Sequence, residues 1–548
     1  MAPGKLLIPE HAHDCPFLPF LPNSEFKSVV DFSDIQGDII APFPKRFEDF
    51  IFFTITDAVS FKRSILPKLL QRISSAQDVI DSRKQILDCK RRKSNELVSV
   101  EFVNIGFSNA GLTKLIGPNH VSDLNDHLFE TGQLKHAGEL GDMIEANKPK
   151  HWLPEFIETG SNQIDGVLLV ASEAKDHLSS CCHWVDQALS TAAKKVYTLK
   201  GKVRDGALKD HEHFGWKDGI SNPFLDGVYP DCRKTAGQRT IKPGVILVGH
   251  EGDIDPNSNP IQRMKRPEWA INGSFLAYRQ LDQFVPEFHS FVRSSIQQES
   301  PGVSNQELER RAKLRAAQFV GRWPSGAPLE LSPSKDNNVL ANDPDCVNNF
   351  KFDLEDQTKC PFSAHIRKMN PRLPSHFGDD THSVVRAGIT YGEGEGACSL
   401  HTRYVELLRA ALPQEKETVS SRGLAFVGYQ SRIDQGFAFQ QRLWANNRDF
   451  PHPLRHEDGP FVKGLDPLIG QIPGRTSLNI TGSIAAHDVG ARTTTDIHSR
   501  VLKLNDFVIA KGGGYFFVPP IKMLHGLTVE ESGNIVQLVP GKALTTKS

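Results

Sequence analysis

Cysteine is scarce in this chain and badly spaced for chemistry. Eight cysteines, at positions 15, 89, 181, 182, 232, 346, 360 and 398 of 548 residues, form no Cys-x-x-Cys pair. Such spacing excludes the common thiolate zinc and iron–sulfur sites, and such sparseness excludes a disulfide framework. Net charge is also lacking: 64 Lys and Arg against 65 Asp and Glu leave a formal charge of -1. No basic excess is available to neutralise phosphates, so no nucleic-acid partner is expected. No apolar run reaches the ~20 residues of a membrane span, so no membrane partner is expected either. Pro9, Glu10, His11, His13, Asp14 and Pro16 interrupt the N-terminus. It has no basic start followed by an unbroken apolar stretch, so it does not read as a signal peptide. The expectation is an intracellular (cytoplasmic) protein, with secretion left open should the sequence be truncated.

What is present is an ordinary globular composition, 39% hydrophobic and 24% charged, on a length that suggests roughly two to four domains. Residues 1–33 lack periodicity and read as an extended N-terminal arm. The apolar run 50–56 then predicts a buried strand, and Phe61, Ile65, Leu66, Leu69, Leu70 and Ile73 predict a helix after it. The same strand–helix unit recurs at 165–171 with 177–189, at 274–279 with 285–296, and at 423–429 with 436–446. Alternation at 98–105 predicts one more, half-buried strand, and the charge density of 305–318 predicts a solvated helix. Two pairs of units predict an α+β fold of two half-domains, 34–225 and 226–548. The second carries a long Pro-, Asp- and Asn-rich loop at 324–360, of the kind that is disordered or functional.

Chemistry concentrates in three places. The first is His211-Glu212-His213-Phe214-Gly215-Trp216-Lys217-Asp218-Gly219-Ile220-Ser221-Asn222-Pro223. Its glycines permit turns that a Cβ would forbid and could aim a carboxylate into a cavity, although such a stretch by itself is more often a surface turn. The second is Ala364-His365-Ile366-Arg367-Lys368, where a His precedes a basic cluster that continues to Arg372. An imidazole suits haem iron and arginines suit carboxylates; a satisfied helix-end His is the plain alternative. The third is Val384-Val385-Arg386, an Arg closing a short apolar run, where a buried charge needs a partner or a purpose. A hydrolytic metal site on His211 and His213 lacks a third ligand at helical spacing.

Together these segments resemble the dye-decolorizing peroxidases, the fungal branch most. Glu212 to Pro223 is similar to the family's Gly-x-x-Asp-Gly signature. Ile35-Gln36-Gly37-Asp38 precedes it, and Gly273 to Leu281, Gly321 to Pro328, the His365 block and Val385 to Ile389 follow in the family's order. The resemblance implies two ferredoxin-like half-domains, each a four-stranded antiparallel sheet with helices, and one haem b in the C-terminal half. It implies His365 as proximal iron ligand, Asp218 and Arg386 as the catalytic pair on the distal face, and Leu424 and Phe426 as the apolar distal wall. It further implies His213 and Arg372 as propionate contacts and Asp466 as hydrogen-bond partner of the ligand histidine. Hydrogen peroxide and aromatic small molecules would be the substrates, with bulky donors served at a haem edge or by a surface Trp or Tyr relay. A slow haem carrier or sensor is the alternative function, and the Asp218 and Arg386 pair argues against it. Trp216, Asn222, Ala387 and Thr390 depart from the family's usual residues and leave pocket shape open.

Overall fold

The apolar run near residue 50 offers no polar face, so a strand built from it must be covered on both sides. In the computed structural model, which describes residues 27–92, 98–230, 234–354, 356–373, 379–392, 418, 420–451, 464–472, 480–483, 501–504 and 506–528, β1 (Phe47–Ile55) meets that demand. Most of the expected arm, His11 and His13 included, lies outside the described residues. Side chains alternate along a strand. Phe50 and Phe52 therefore join one core with Leu169, Leu276, Tyr278 and Val427, while Ile51 and Phe53 join another with Phe61, Ile105 and Val185.

The N-terminal half contains β1, β2 (Glu101–Phe107), β3 (Gly166–Ser172) and β4 (Ala193–Lys202), antiparallel in the order β2-β3-β1-β4. The C-terminal half repeats the order with β5 (Ser274–Gln283), β6 (Val385–Arg386), β7 (Ile389–Tyr391), β8 (Gly423–Gln430) and β9 (Val508–Val518). There β9 lies beside β5, β5 beside β8, and β6 and β7 run in line on the far side of β8. The halves are not separate sheets. β9 meets β2 at Phe517 and Phe107, β7 meets β4 at Tyr391 and Gly201, and the ring closes into a barrel; of these nine strands, β6 lies outside it. Closure removes the exposed edges that two independent sheets would carry.

Sequence patterning misses the fourth strand of each half. β4 carries Lys194, Lys195, Lys200 and Lys202, and β9 carries Gly512-Gly513-Gly514, so neither reads as a strand by propensity. Tertiary contact decides both, with Phe156 and Gln133 packed against the glycine run. Helices α1 (Ala76–Arg91) and α2 (Lys175–Leu189) belong to the N-terminal half, and α3 (Val285–Glu299), α4 (Asn305–Val320) and α5 (His365–Met369) to the C-terminal half. α4 is not the solvated helix its charges suggest. Ala312, Ala316 and Phe319 pack on Phe288 and Val292 of α3, and its buried Arg315 pairs with Glu299 at 2.9 Å. The 324–360 loop is likewise packed: Leu329, Phe350, Phe352 and Cys360 form an apolar cluster under Ala364. No helix among the described residues is long and apolar enough to cross a membrane.

Candidate active site

Glu212 builds the turn that presents Asp218. Its carboxylate accepts from the amides of Phe214 and Trp216, both at 2.8 Å, and from Gln283 Nε2. Trp216 is locked behind the turn, its Nε1 donating to Arg322 O at 2.8 Å and its ring lying edge-on to Phe288. Gly219 takes φ +71°, a left-handed conformation open to glycine, and its N–H donates to Asp218 Oδ1 at 2.6 Å. Asp218 thus enters the cavity with one oxygen already bonded to its own loop.

Arg386 approaches from β6. Its Nη1 reaches Asp218 Oδ1 at 3.1 Å and its Nη2 donates to Ser221 O at 3.2 Å. The two side chains are 37% and 40% exposed, so water in the cavity can reach the pair. Desolvation pushes the Asp218 pKa up, but the Arg386 charge and the Gly219 N–H outweigh it and hold the carboxyl below its ordinary value.

His365 opens α5. Gly321 ends α4 at φ +92°, and a Cβ there would stand 2.4 Å from Ile366 Cγ1, so a glycine is what lets α5 sit this close. His365 Nδ1 bonds Asp466 Oδ2 at 2.7 Å. Asp466 is fully buried and its Oδ1 accepts from the amides of Leu468 at 2.9 Å and Ile469 at 3.1 Å. Burial disfavours the imidazolium, yet the Asp466 charge and hydrogen bond prevail and raise the His365 pKa. With Nδ1 engaged, Nε2 is the ring nitrogen left for a ligand.

Asp218, Arg386, His365, Leu424, Phe426 and Arg372 all line one cavity of about 300 Å³. Its apolar wall includes Leu281, Val320, Leu424, Phe426, Ile469 and Val508, and Arg239, Arg322 and Arg372 add cations. An imidazole with its far nitrogen held by a carboxylate, apolar walls and several arginines together fit an iron macrocycle with anionic substituents. Arg322 is committed to Gly326 O, Val347 O and Asn348 Oδ1. Arg372 donates to Gly237 O, Asn348 O and Phe350 O while still facing the cavity. Arg239, paired with Asp380 at 3.7 Å, is a cavity cation that sequence reasoning missed, since no motif surrounds it.

Two expectations need correction. His213 does not line the cavity: it is buried, with Nε2 on Tyr391 O at 2.9 Å and a pKa pushed down to about 4, chiefly by burial. Arg367 and Lys368 turn away from it as well. Arg367 donates to Asp353 O, Asp356 O and Cys360 O, which staples the long loop, and Lys368 donates to Trp444 O, Asn447 O and Phe450 O. A cation close in sequence to His365 is carried out of its cavity by helical rotation. As for a relay, none of the six Trp is exposed; Trp184 and Trp269 are half-buried, and of the described Tyr only Tyr197 is. Among the described residues no group of three or more His, Cys, Asp or Glu could hold a bare metal ion.

Comparison with known proteins bears on the family and the fold. Residues 34–205 match the family model described as the DyP dimeric alpha+beta barrel domain. The chain is 36% identical over 502 residues to a dye-decolorizing peroxidase of Mycetinis scorodonius, covering 90% of this chain and 87% of that protein. It is 34% identical to a dye-decolorizing peroxidase of Auricularia auricula-judae, covering 90% and 86%. Among solved structures, a mutant of the dye-decolorizing peroxidase of Pleurotus ostreatus superposes with TM-score 0.76 at 34% identity, over 91% of this chain and all of that one. A dye-decolorizing peroxidase in complex with 2,6-dimethoxyphenol superposes with TM-score 0.71 at 34% identity, over 91% and 100%. By likeness over nearly its whole length, and by a barrel whose flank holds His365, Asp218 and Arg386 in one cavity, this chain belongs to the dye-decolorizing peroxidase family.

Proposed function

We propose that the protein is a haem peroxidase that reduces hydrogen peroxide and oxidises aromatic donors, dyes among them. One observation carries this choice over a haem carrier: the Asp218–Arg386 contact of 3.1 Å in the same cavity as His365. Holding haem needs the imidazole alone, whereas cleaving peroxide needs a base and a fixed positive charge.

His365 Nε2 would hold the iron of one haem b per chain, with Asp466 fixing the tautomer and making the imidazole more basic. Arg239 and Arg372, which line the cavity, would meet its carboxylates. Bound haem would supply the redox chemistry, storing the two oxidising equivalents of peroxide and passing them to donors one electron at a time. Asp218 takes the proton from the inner peroxide oxygen and delivers it to the outer one, which leaves as water; such transfer contributes about 10²–10⁴-fold. The depressed Asp218 pKa lets the base stay ionised to lower pH than an ordinary aspartate. Arg386 places its charge where negative charge grows on the departing oxygen, and no reorganisation is needed at that moment. Leu424 and Phe426 line the same cavity, and as bulky apolar walls they would admit peroxide more readily than an aromatic ring. The complex of a relative with 2,6-dimethoxyphenol makes phenols of that size the first donors to try.

The test is to load the protein with haem, record the Soret band and follow dye oxidation by peroxide in acid. Asp218→Ala and Arg386→Ala should keep the Soret band and lose dye oxidation. Unchanged turnover in both variants, or a wild-type chain that takes up no haem, overturns the proposal.

A further inference from the structure

Arg386 stands at the open edge of a strand two residues long. On one side β6 is held by β8, at Val385 opposite Tyr429 and Arg386 opposite Gly428; on the other side no strand follows among the described residues. Both the N–H and the C=O of Arg386 turn to that open side, and one side chain meets both. Asn222 Oδ1 accepts from Arg386 N at 3.0 Å, and Asn222 Nδ2 donates to Arg386 O at 3.0 Å. A carboxamide carries acceptor and donors in one plane, so Asn222 reproduces the two bonds a neighbouring antiparallel strand would make to a single residue. Asn222 is 8% exposed, and its own carbonyl accepts from Gln238 Nε2 at 2.9 Å. The clamp is therefore itself anchored. Beyond it, Ala387 O accepts from Lys45 Nζ at 2.8 Å, so the chain after Arg386 is held independently.

We infer that Asn222 is a positioning residue that sets the reach of Arg386 toward Asp218, an inference that rests on the roles given to that pair above. The loop carrying Asp218 runs directly into Asn222, and Ser221 between them accepts from Arg386 Nη2. Arg386 is thus referenced to the Asp218 loop twice, through its backbone and through its guanidinium. Two partly exposed side chains at 3.1 Å would not hold one geometry by themselves, because water competes for both. The backbone clamp supplies what the ion pair lacks. Without it the charge of Arg386 stays, but the two-residue strand can shift and the contact with Asp218 lengthens.

Asn222→Ala removes both bonds; Asn222→Asp keeps the acceptor for Arg386 N–H and removes the donor to its C=O. Two readouts separate positioning from general damage. In the haem-free chain, hydrogen exchange of the residue 386 amide should accelerate about tenfold or more in Asn222→Ala, the consequence of one lost hydrogen bond, and less in Asn222→Asp. In the haem-loaded enzyme, kcat/KM for peroxide should fall about 10- to 100-fold, while KM for an aromatic donor stays unchanged. Unaltered exchange at residue 386, or equal losses in the peroxide and donor parameters, overturns the inference. Where Asn222→Ala fails to fold, the same two comparisons on Asn222→Asp decide it. Should Arg386→Ala itself leave kcat/KM for peroxide unchanged, the roles given to the pair fail instead, and the exchange measurement still decides the clamp.

Discussion

Replacing Asp466 by Asn changes one atom and inverts a hydrogen bond. The buried carboxylate serves three donors: His365 Nδ1 at 2.7 Å on Oδ2, and the amides of Leu468 and Ile469 at 2.9 and 3.1 Å on Oδ1. A carboxamide has one acceptor oxygen and cannot serve both sides. With that oxygen toward Leu468 and Ile469, the NH2 group faces Nδ1, and the imidazole must carry its proton on Nε2, the nitrogen required for iron. With the oxygen toward Nδ1, the NH2 group confronts two N–H donors in a dry site. Either arrangement loses a hydrogen bond to a charged group, worth ~1.5–3 kcal/mol. Loss of such a partner typically lowers metal affinity 10–100-fold, which is the same magnitude reached from the ligand side. The assay is a haem titration of the apo chain followed at the Soret band, beside wild type. Asp466→Asn should bind haem about 10–100-fold more weakly, with an altered Soret position. Wild-type affinity together with an unshifted band would refute the reasoning.

Arg386→Ala removes the largest effect that lowers the Asp218 pKa and leaves the Gly219 N–H alone in its loop to oppose desolvation, so that pKa rises; the acid limb of the peroxide reaction should move to higher pH. A rate–pH profile with an unmoved acid limb counts against Asp218 as the base. Glu212→Gln puts an NH2 group among the donors from Phe214, Trp216 and Gln283, so denaturant titration should show a loss of ~1–3 kcal/mol. Full retention of stability would mean the turn does not depend on that carboxylate. His136 and His213 are buried with pKa values lowered to about 4, and the unfolded chain therefore binds their protons first as pH falls below 6.5. Stability is intact above that pH and is lost progressively down to about 4; thermal melts between pH 7 and 4 should fall steadily, and less steeply in His136→Gln. A flat profile would show that neither histidine is shifted in the folded state.

Residue types and local order were legible from sequence, and long-range closure was not. Apolar runs without a polar face marked β1, β3, β5 and β8, because a strand covered on both sides leaves that pattern in any context. The barrel itself had no local signal. It depends on β4 and β9, whose lysines and glycines contradict strand propensity and which are strands because neighbours complete their ladders. Spacing misled where proximity in sequence was taken for proximity in space. Arg367 and Lys368 follow His365 directly yet point at backbone carbonyls, while Arg239, far away in sequence, lines the cavity.

The sequence by itself determined which groups exist for chemistry: one carboxylate in a glycine-flanked turn, one arginine after a short apolar run, one histidine at a helix start. Their identities and their order along the chain were enough to mark the family. Tertiary structure alone decided that these groups share a cavity and that His213 does not line it. It also decided that Asp466 reaches His365 and that Asn222 takes the place of a missing strand beside Arg386. The reason is physical. Residue chemistry is local and written in the side chain, whereas a distance of about 3 Å between segments far apart in the chain is fixed only when the barrel closes and its packing leaves no other place for them.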